Sequence, residues 1–132
     1  MRAIRCLFAV AAFAAAATAP STAAPRQTIV FGAAVSLTGP LANEGRLTQE
    51  GYDFWKRYVN GNGGLRVAGQ SYNVEIRYAD DESSPPVTAR LIEKMIADEH
   101  VDFILGPYGS AQNFAAAAVV ERHGVPMVDS GG

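Results

Sequence analysis

The chain has 132 residues, eleven lysines and arginines against thirteen acids for a formal charge of −2, and a single cysteine at position 6. That balance excludes a basic face for nucleic acid and a polybasic segment for an anionic membrane surface. One cysteine excludes a disulfide framework or a cysteine-ligated metal, and the length suits one domain or one lobe.

In chain order, Met1 to Arg5 carries two positive charges and no acid, and an apolar, alanine-rich run from Cys6 to Ala17 follows. Small residues and prolines close the segment from Thr18 to Pro25. Basic head, short apolar body and small-residue exit predict a secretory signal peptide. The run falls short of the roughly 20 residues a membrane-spanning helix needs. Ser21 and Ala23 place cleavage after Ala23, so residues 1–23 form the signal and residues 24–132 an α/β lobe. Cleavage removes Cys6, Arg2 and Arg5, leaving an exported, cysteine-free chain with nine basic and thirteen acidic residues, net −4.

Ile29 to Val35 is an almost unbroken apolar run, as expected of a strand buried on both faces of a parallel sheet. Ser36 to Gly45 reads as a long loop rich in turn formers. A helix is expected from about Arg46 to Tyr58, with Leu47, Gly51, Phe54, Trp55 and Tyr58 on one side. Asn60 to Gly64 ends it, because asparagine and glycine tolerate the left-handed conformation there. Val67 to Gln70 reads as a tight turn into a second strand, Tyr72 to Tyr78, whose polar–apolar alternation suggests a half-exposed edge.

Asp80 to Ser84 is a polar loop, and Pro85-Pro86 suits the first turn of a helix. Val87, Leu91, Ile92, Met95 and Ile96 give that helix its apolar face. Val101 to Leu105 is a third, buried strand. The turn Gly106-Pro107-Tyr108-Gly109 leads into a helix that runs to about His123, with Gly124 as its C-cap. Val125 to Val128 supplies a fourth strand. The order β-α-β-α-β-α-β predicts a doubly wound parallel sheet.

In such a sheet ligands sit beyond the carboxyl ends of the strands, here Ser36 to Gly45, Asp80 to Ser84, Gly106 to Asn113 and Asp129 to Gly132. Ser110 falls at the expected helix N-cap, where free N–H groups and the helix dipole favour an anion such as a carboxylate. Capping its own helix explains the serine equally well. Tyr108 either lines a pocket or folds back over the sheet end. Asp80-Asp81-Glu82 lacks the spacing of a calcium loop and reads more simply as a capping and dipole arrangement. His100 and His123 stand at the opposite edge, away from the serines, so no serine–histidine constellation forms. Neither a dinucleotide fingerprint nor a phosphate-binding P-loop is present. A binding edge without a catalyst remains.

Several stretches match together: "SLTGPLANEG", "NGNGGLRVAGQSYNVEIRYADDESSP", "VDFILGPYGS" and "GVPMVDSGG". In combination they resemble the periplasmic solute-binding proteins of the leucine/isoleucine/valine type, which serve ABC importers. The resemblance covers Ile29 to Gly132 and implies the N-terminal lobe of a two-lobed, non-enzymatic receptor without cofactor or metal. Its ligand would be a small amino acid, amide or aromatic carboxylate, and its partner an ABC permease in the inner membrane.

By the same resemblance Ser110, with the neighbouring amides of Gly109 and Ala111, holds the ligand carboxylate. Backbone groups of Ser130, Gly131 and Gly132 share that task, and Tyr108 faces the ligand side chain. The first loop, from Leu41 through Glu44 to Gly45, covers the pocket. Two positions depart from the family pattern. Glu44 stands where several amino-acid binders carry an aromatic, and Gly109 stands where some carry a cysteine. Both departures point to a larger or more polar pocket. The extracellular input of a signalling receptor is the alternative use of such a lobe.

Overall fold

The computed structural model describes residues 27–129. The expected signal segment and Ser130, Gly131 and Gly132 lie outside the described residues. Among the described residues five strands and three helices follow in the order β1 (Gln27–Val35), α1 (Ala42–Gly61), β2 (Leu65–Val67), β3 (Gln70–Asp80), α2 (Pro85–Ala97), β4 (Phe103–Leu105), α3 (Ser110–His123) and β5 (Met127–Val128). The sheet order is β2-β3-β1-β4-β5, parallel except for the antiparallel β2–β3 pair.

The unbroken apolar run of β1 is explained by two cores, one on each face. Phe31, Ala33 and Val35 point to one side and pack with Val74, Ile76, Leu105 and the inner residues of α1, Tyr52, Trp55 and Val59. Phe31 meets the edge of Trp55 at 5.3 Å between centroids and stacks on Phe103 at 5.2 Å. Val30 and Ala34 point the other way, toward Ile92, Met95, Ile104, Ala116, Val119 and Val120 under α2 and α3. Gly32 belongs to this second face. A Cβ there would stand 3.0 Å from both Ile104 Cδ1 and Met95 Sδ, so glycine lets α2 seat closely on the sheet.

The expected α2 forms with Pro85 and Pro86 in its first turn, and α3 ends as read, with Gly124 closing it at φ 65°. Three local expectations are corrected. Leu65-Arg66-Val67 is an additional strand, hairpinned to β3 through Ala68 and Gly69 at φ 49° and 82°. Two consecutive positive φ values suit a two-residue hairpin turn. The sheet is therefore mixed rather than wholly parallel, and the start of β3 is covered, with only its later residues left on an edge.

The second correction concerns α1, which begins at Ala42 instead of Arg46 and runs to Gly61. Gly45 lies inside the helix, which passes the end of β1 so closely that a Cβ there would run into the Ser36 carbonyl oxygen. Third, the apolar residues of α1 divide between its two sides. Trp55 packs inward, while Leu47, Phe54 and Tyr58 are 60–66% exposed. The helix is fixed partly by polar contacts. Asn60 pairs both ways with the backbone of Val74, and the Tyr78 hydroxyl donates to Asp53 at 3.2 Å. Burial, with the Asp53 carboxylate beside it, pushes the Tyr78 phenol well above its ordinary pKa, so it stays a donor.

Candidate functional site

Three loops meet at the carboxyl edge of the sheet: Ser36 to Leu41 after β1, Asp81 to Ser84 after β3, and Gly106 to Gly109 after β4. The acids Asp80 and Asp81 bind the first two loops together. Asp80 accepts the backbone N–H groups of Leu37, Thr38 and Glu82 at 2.9, 3.2 and 2.9 Å and the Thr38 hydroxyl at 2.7 Å. Burial opposes its ionisation, but the Thr38 hydroxyl and the three backbone donors outweigh that and hold the carboxyl below its ordinary range.

Asp81 is fully buried and accepts the Ser36 hydroxyl at 2.6 Å, the Thr88 hydroxyl at 2.9 Å and the Ser83 N–H at 2.9 Å. Asp80 and Asp81 therefore work as a loop staple whose oxygens are taken by protein donors, and the expected dipole arrangement is corrected, since the first turn of α2 holds no acid and Ser84 is its N-cap. Among the described residues no group of three or more His, Cys, Asp or Glu is arranged to hold a metal ion.

The third loop depends on its glycines. Gly106 faces Asn113 and Asp129, with a would-be Cβ 2.8 Å from Asn113 Oδ1. Its carbonyl accepts the Tyr52 hydroxyl at 2.6 Å, which ties α1 to this loop. Gly109 stands at the N-cap of α3 with φ 98°, and a Cβ there would meet Gln112 Oε1 at 2.7 Å and Leu41 Cδ1 at 3.4 Å. The positive φ is what favours glycine there.

Ser110 is thus the first residue inside α3 and not its cap, and no side-chain cap bond closes the helix. The expectation that Ser110 sits at the N-cap is corrected by one position, because the left-handed turn needs glycine there. The first helical bond joins Asn113 N–H to the Gly109 carbonyl at 3.0 Å. The amides of Ser110, Ala111 and Gln112 precede it, and the side chains of Ser110 and Ala111 are exposed. A helix start of this kind, with donors outward and positive dipole end, accommodates an anionic oxygen.

Two depressions flank this point. One, of about 480 Å³, is lined by Glu44, Leu47, Thr48, Gly51 and Tyr52 of α1 and by Tyr108. The other, of about 280 Å³, is lined by Ser110, Asn113, Phe114, Ala117, Met127 and Asp129. The structure therefore brings Glu44 and Tyr108 together and sets Leu41 against Gly109, while Ser110 opens on the adjoining hollow. Glu44 and Gly45 belong to the first turns of α1 and not to a covering loop; Leu41 is the N-cap. His123 is engaged by Glu93 at 2.6 Å at the far end of α3, about 20 Å of helix from Ser110.

Thr48 and Tyr52 were not expected at the site. Their signal was the spacing 44, 48, 52, which is one helical face once the helix starts at Ala42. Ser83 and Gln112 were also missed. Gln112 is buried and donates to the Ser83 carbonyl at 3.2 Å, a contact between distant segments that local pattern does not reveal.

The sequence profile of a family described as periplasmic binding proteins matches residues 28–132. Among solved structures, the chain is similar to the substrate-binding protein of a branched-chain amino acid transporter from Streptococcus pneumoniae, in complex with isoleucine. That match has 26% identity and a TM-score of 0.71 over 78% of this chain and 28% of the other. A solute-binding protein of an ABC transporter from Rhodopseudomonas palustris, in complex with 3,4-dihydroxybenzoic acid, matches at 27% identity and TM-score 0.65. It covers 77% of this chain and 26% of that one. A second Rhodopseudomonas palustris solute-binding protein, in complex with benzoate, matches at 26% identity and TM-score 0.63, over 77% and 27% of the two chains. The chain spans little more than a quarter of each of these proteins.

Proposed function

Because this chain belongs to the periplasmic binding protein family, we propose that it forms half of the ligand cleft of an exported solute receptor that hands a small carboxylate to an ABC importer. The observation that carries this reading is the uncapped start of α3, three amides ahead of the first helical bond, beside the depression walled by Glu44 and Tyr108. Isoleucine, benzoate and 3,4-dihydroxybenzoate, the ligands of the similar structures, share a carboxylate. A carboxylate oxygen at Ser110 takes the hydroxyl and the amides of Ser110 and Ala111, and the remainder of the ligand lies toward Tyr108 and Glu44. Ser130, Gly131 and Gly132 lend backbone groups to the same oxygens.

The other wall of the cleft comes from a second lobe beyond this segment. Closure of the two lobes needs a ligand that binds the closed form better than the open one. Binding proceeds without turnover, cofactor or metal, and an inner-membrane permease reads the closed shape. Residues 1–23 direct export to the periplasm and are removed after Ala23, leaving residues 24–132 as the first lobe.

The test is a thermal-shift panel on the complete protein with isoleucine, benzoate, 3,4-dihydroxybenzoate, acetamide and urea. A ligand that binds the folded state raises the melting point with concentration. A rise with one or more of the carboxylates is expected. A response to urea or acetamide alone would transfer the site to neutral amides, and no response to any of the five would overturn the reading. Mass spectrometry of the exported product should give Ala24 as its first residue.

A further inference from the structure

The Asp81 to Ser84 loop holds two consecutive residues, Glu82 and Ser83, at φ 56° and 58°, a left-handed conformation that any residue with a Cβ disfavours. Such a conformation persists where surrounding contacts over-determine it. Every polar group of Ser83 is engaged. Its N–H donates to Asp81 at 2.9 Å. Its hydroxyl donates to the Thr38 carbonyl at 2.7 Å and accepts the Leu41 N–H at 3.0 Å. Its carbonyl accepts the Gln112 side chain at 3.2 Å.

The hydroxyl therefore grips the first loop at the start of α1, and the carbonyl grips the first turn of α3. Packing enforces the same arrangement. A Cβ on Gly39, itself at φ 81°, would stand 2.7 Å from Ser83 Oγ and 2.8 Å from the Glu82 carbonyl oxygen. Gln112, held by Ser83, in turn fills the space beside Gly109. One strained serine thus joins the two segments that carry Glu44 and Ser110.

We propose that Ser83 is a positioning residue of the ligand site. It fixes the start of α1 and the start of α3 relative to one another, so that the Glu44–Tyr108 depression and the α3 amides are in register before a ligand arrives. The affinity part of this inference rests on the receptor reading above; the geometric part does not. Preorganisation of this kind raises affinity by removing the ordering cost at binding.

The test compares wild-type, Ser83→Gly and Glu82→Gly forms of the complete protein. Glycine is at ease at either left-handed φ, so both variants keep the turn and fold. Only Ser83→Gly removes the hydroxyl that holds Thr38 and Leu41. Amide hydrogen exchange without ligand should rise in Ser83→Gly at Leu41 to Gly45, the segment held through the hydroxyl, while the backbone carbonyl that holds Gln112 is kept. It should stay at the wild-type rate in β1 and β3, and throughout Glu82→Gly. With isoleucine and benzoate as probes, whichever the wild type binds should bind Ser83→Gly about tenfold more weakly, the loss expected from one or two hydrogen bonds of ordinary strength. Binding of neither probe by the wild type would count against the receptor reading, while the exchange data still decide the clamp. Unchanged exchange at Leu41 to Gly45, or unchanged affinity for a probe the wild type binds, would overturn the proposal.

Discussion

Ser110 and Asp80 show how differently two polar residues serve the same edge. The Ser110 side chain is exposed and makes no cap bond, so the fold does not depend on its hydroxyl. Ser110→Ala should leave the melting point unchanged and weaken a carboxylate ligand by about 1–3 kcal/mol, the worth of a charge-assisted bond; scanning calorimetry checks the first half and titration calorimetry the second. Unchanged affinity would remove Ser110 from the site. Asp80, by contrast, works inside the scaffold. Its folded pKa lies below the ordinary 3.8, so its carboxylate stabilises the fold fully above about pH 4. That contribution is lost as pH falls from there through the depressed folded value. Melting points followed from pH 6 to pH 2 should therefore drop more steeply below pH 4 in the wild type than in Asp80→Asn, which has no proton to gain. Parallel curves would mean that the loop bonds of Asp80 contribute nothing. The sequence offered both residues as polar and close to strand ends. It did not distinguish them, because Leu37 and Thr38, which Asp80 ties down, lie more than forty positions away.

Among the elements, α1 was the hardest to place from sequence, and its two glycines explain why. Gly45 looked like the end of a loop, yet it is the contact by which the helix crosses β1. Gly51 looked like part of an apolar face, yet a Cβ there meets nothing within 4 Å. Helix propensity alone predicts that alanine stabilises either position by about 1 kcal/mol. The structure separates them. Gly51→Ala should give that gain in urea unfolding. Gly45→Ala should instead lose roughly 1–3 kcal/mol or more, as overpacking against an immovable backbone carbonyl outweighs propensity. Equal effects at the two sites would place the start of α1 away from Ser36. Elsewhere local chemistry was sufficient: prolines opened α2, Gly124 closed α3, and the apolar run of β1 announced a strand covered on both faces. The three residues of β2 carried too little pattern to separate a strand from the turn beside it. The site suffered from the same limits. The glycine-framed turn marked the place of Ser110 and Tyr108 at the sheet edge and left their roles open, whereas Thr48 and Tyr52 depended on where α1 begins.

For the molecule as a whole, the two faces of the sheet are covered unequally. Among the described residues, helices α2 and α3 lie together over one face, whereas the other carries α1. Beside α1 an apolar trough of about 480 Å³ runs along Ile29, Phe31, Trp55, Phe103, Leu105 and Val128. Val128, at its rim, is 57% exposed. Contiguous apolar surface of this kind is uncommon on a free-standing soluble domain. The chain also spans only 28% of the Streptococcus pneumoniae protein that it resembles. The segment 27–132 prepared by itself should therefore bind anilinonaphthalene sulfonate with a blue-shifted emission and elute from a sizing column at a volume that depends on concentration. Val128→Lys, which sets a charge at the rim without disturbing the packed residues beneath, should reduce both effects while the far-ultraviolet dichroism stays the same. Dye binding that persists undiminished in Val128→Lys would place the adhesive surface elsewhere. The exposed Leu47, Phe54 and Tyr58 on the outer side of α1 would then be the next residues to substitute.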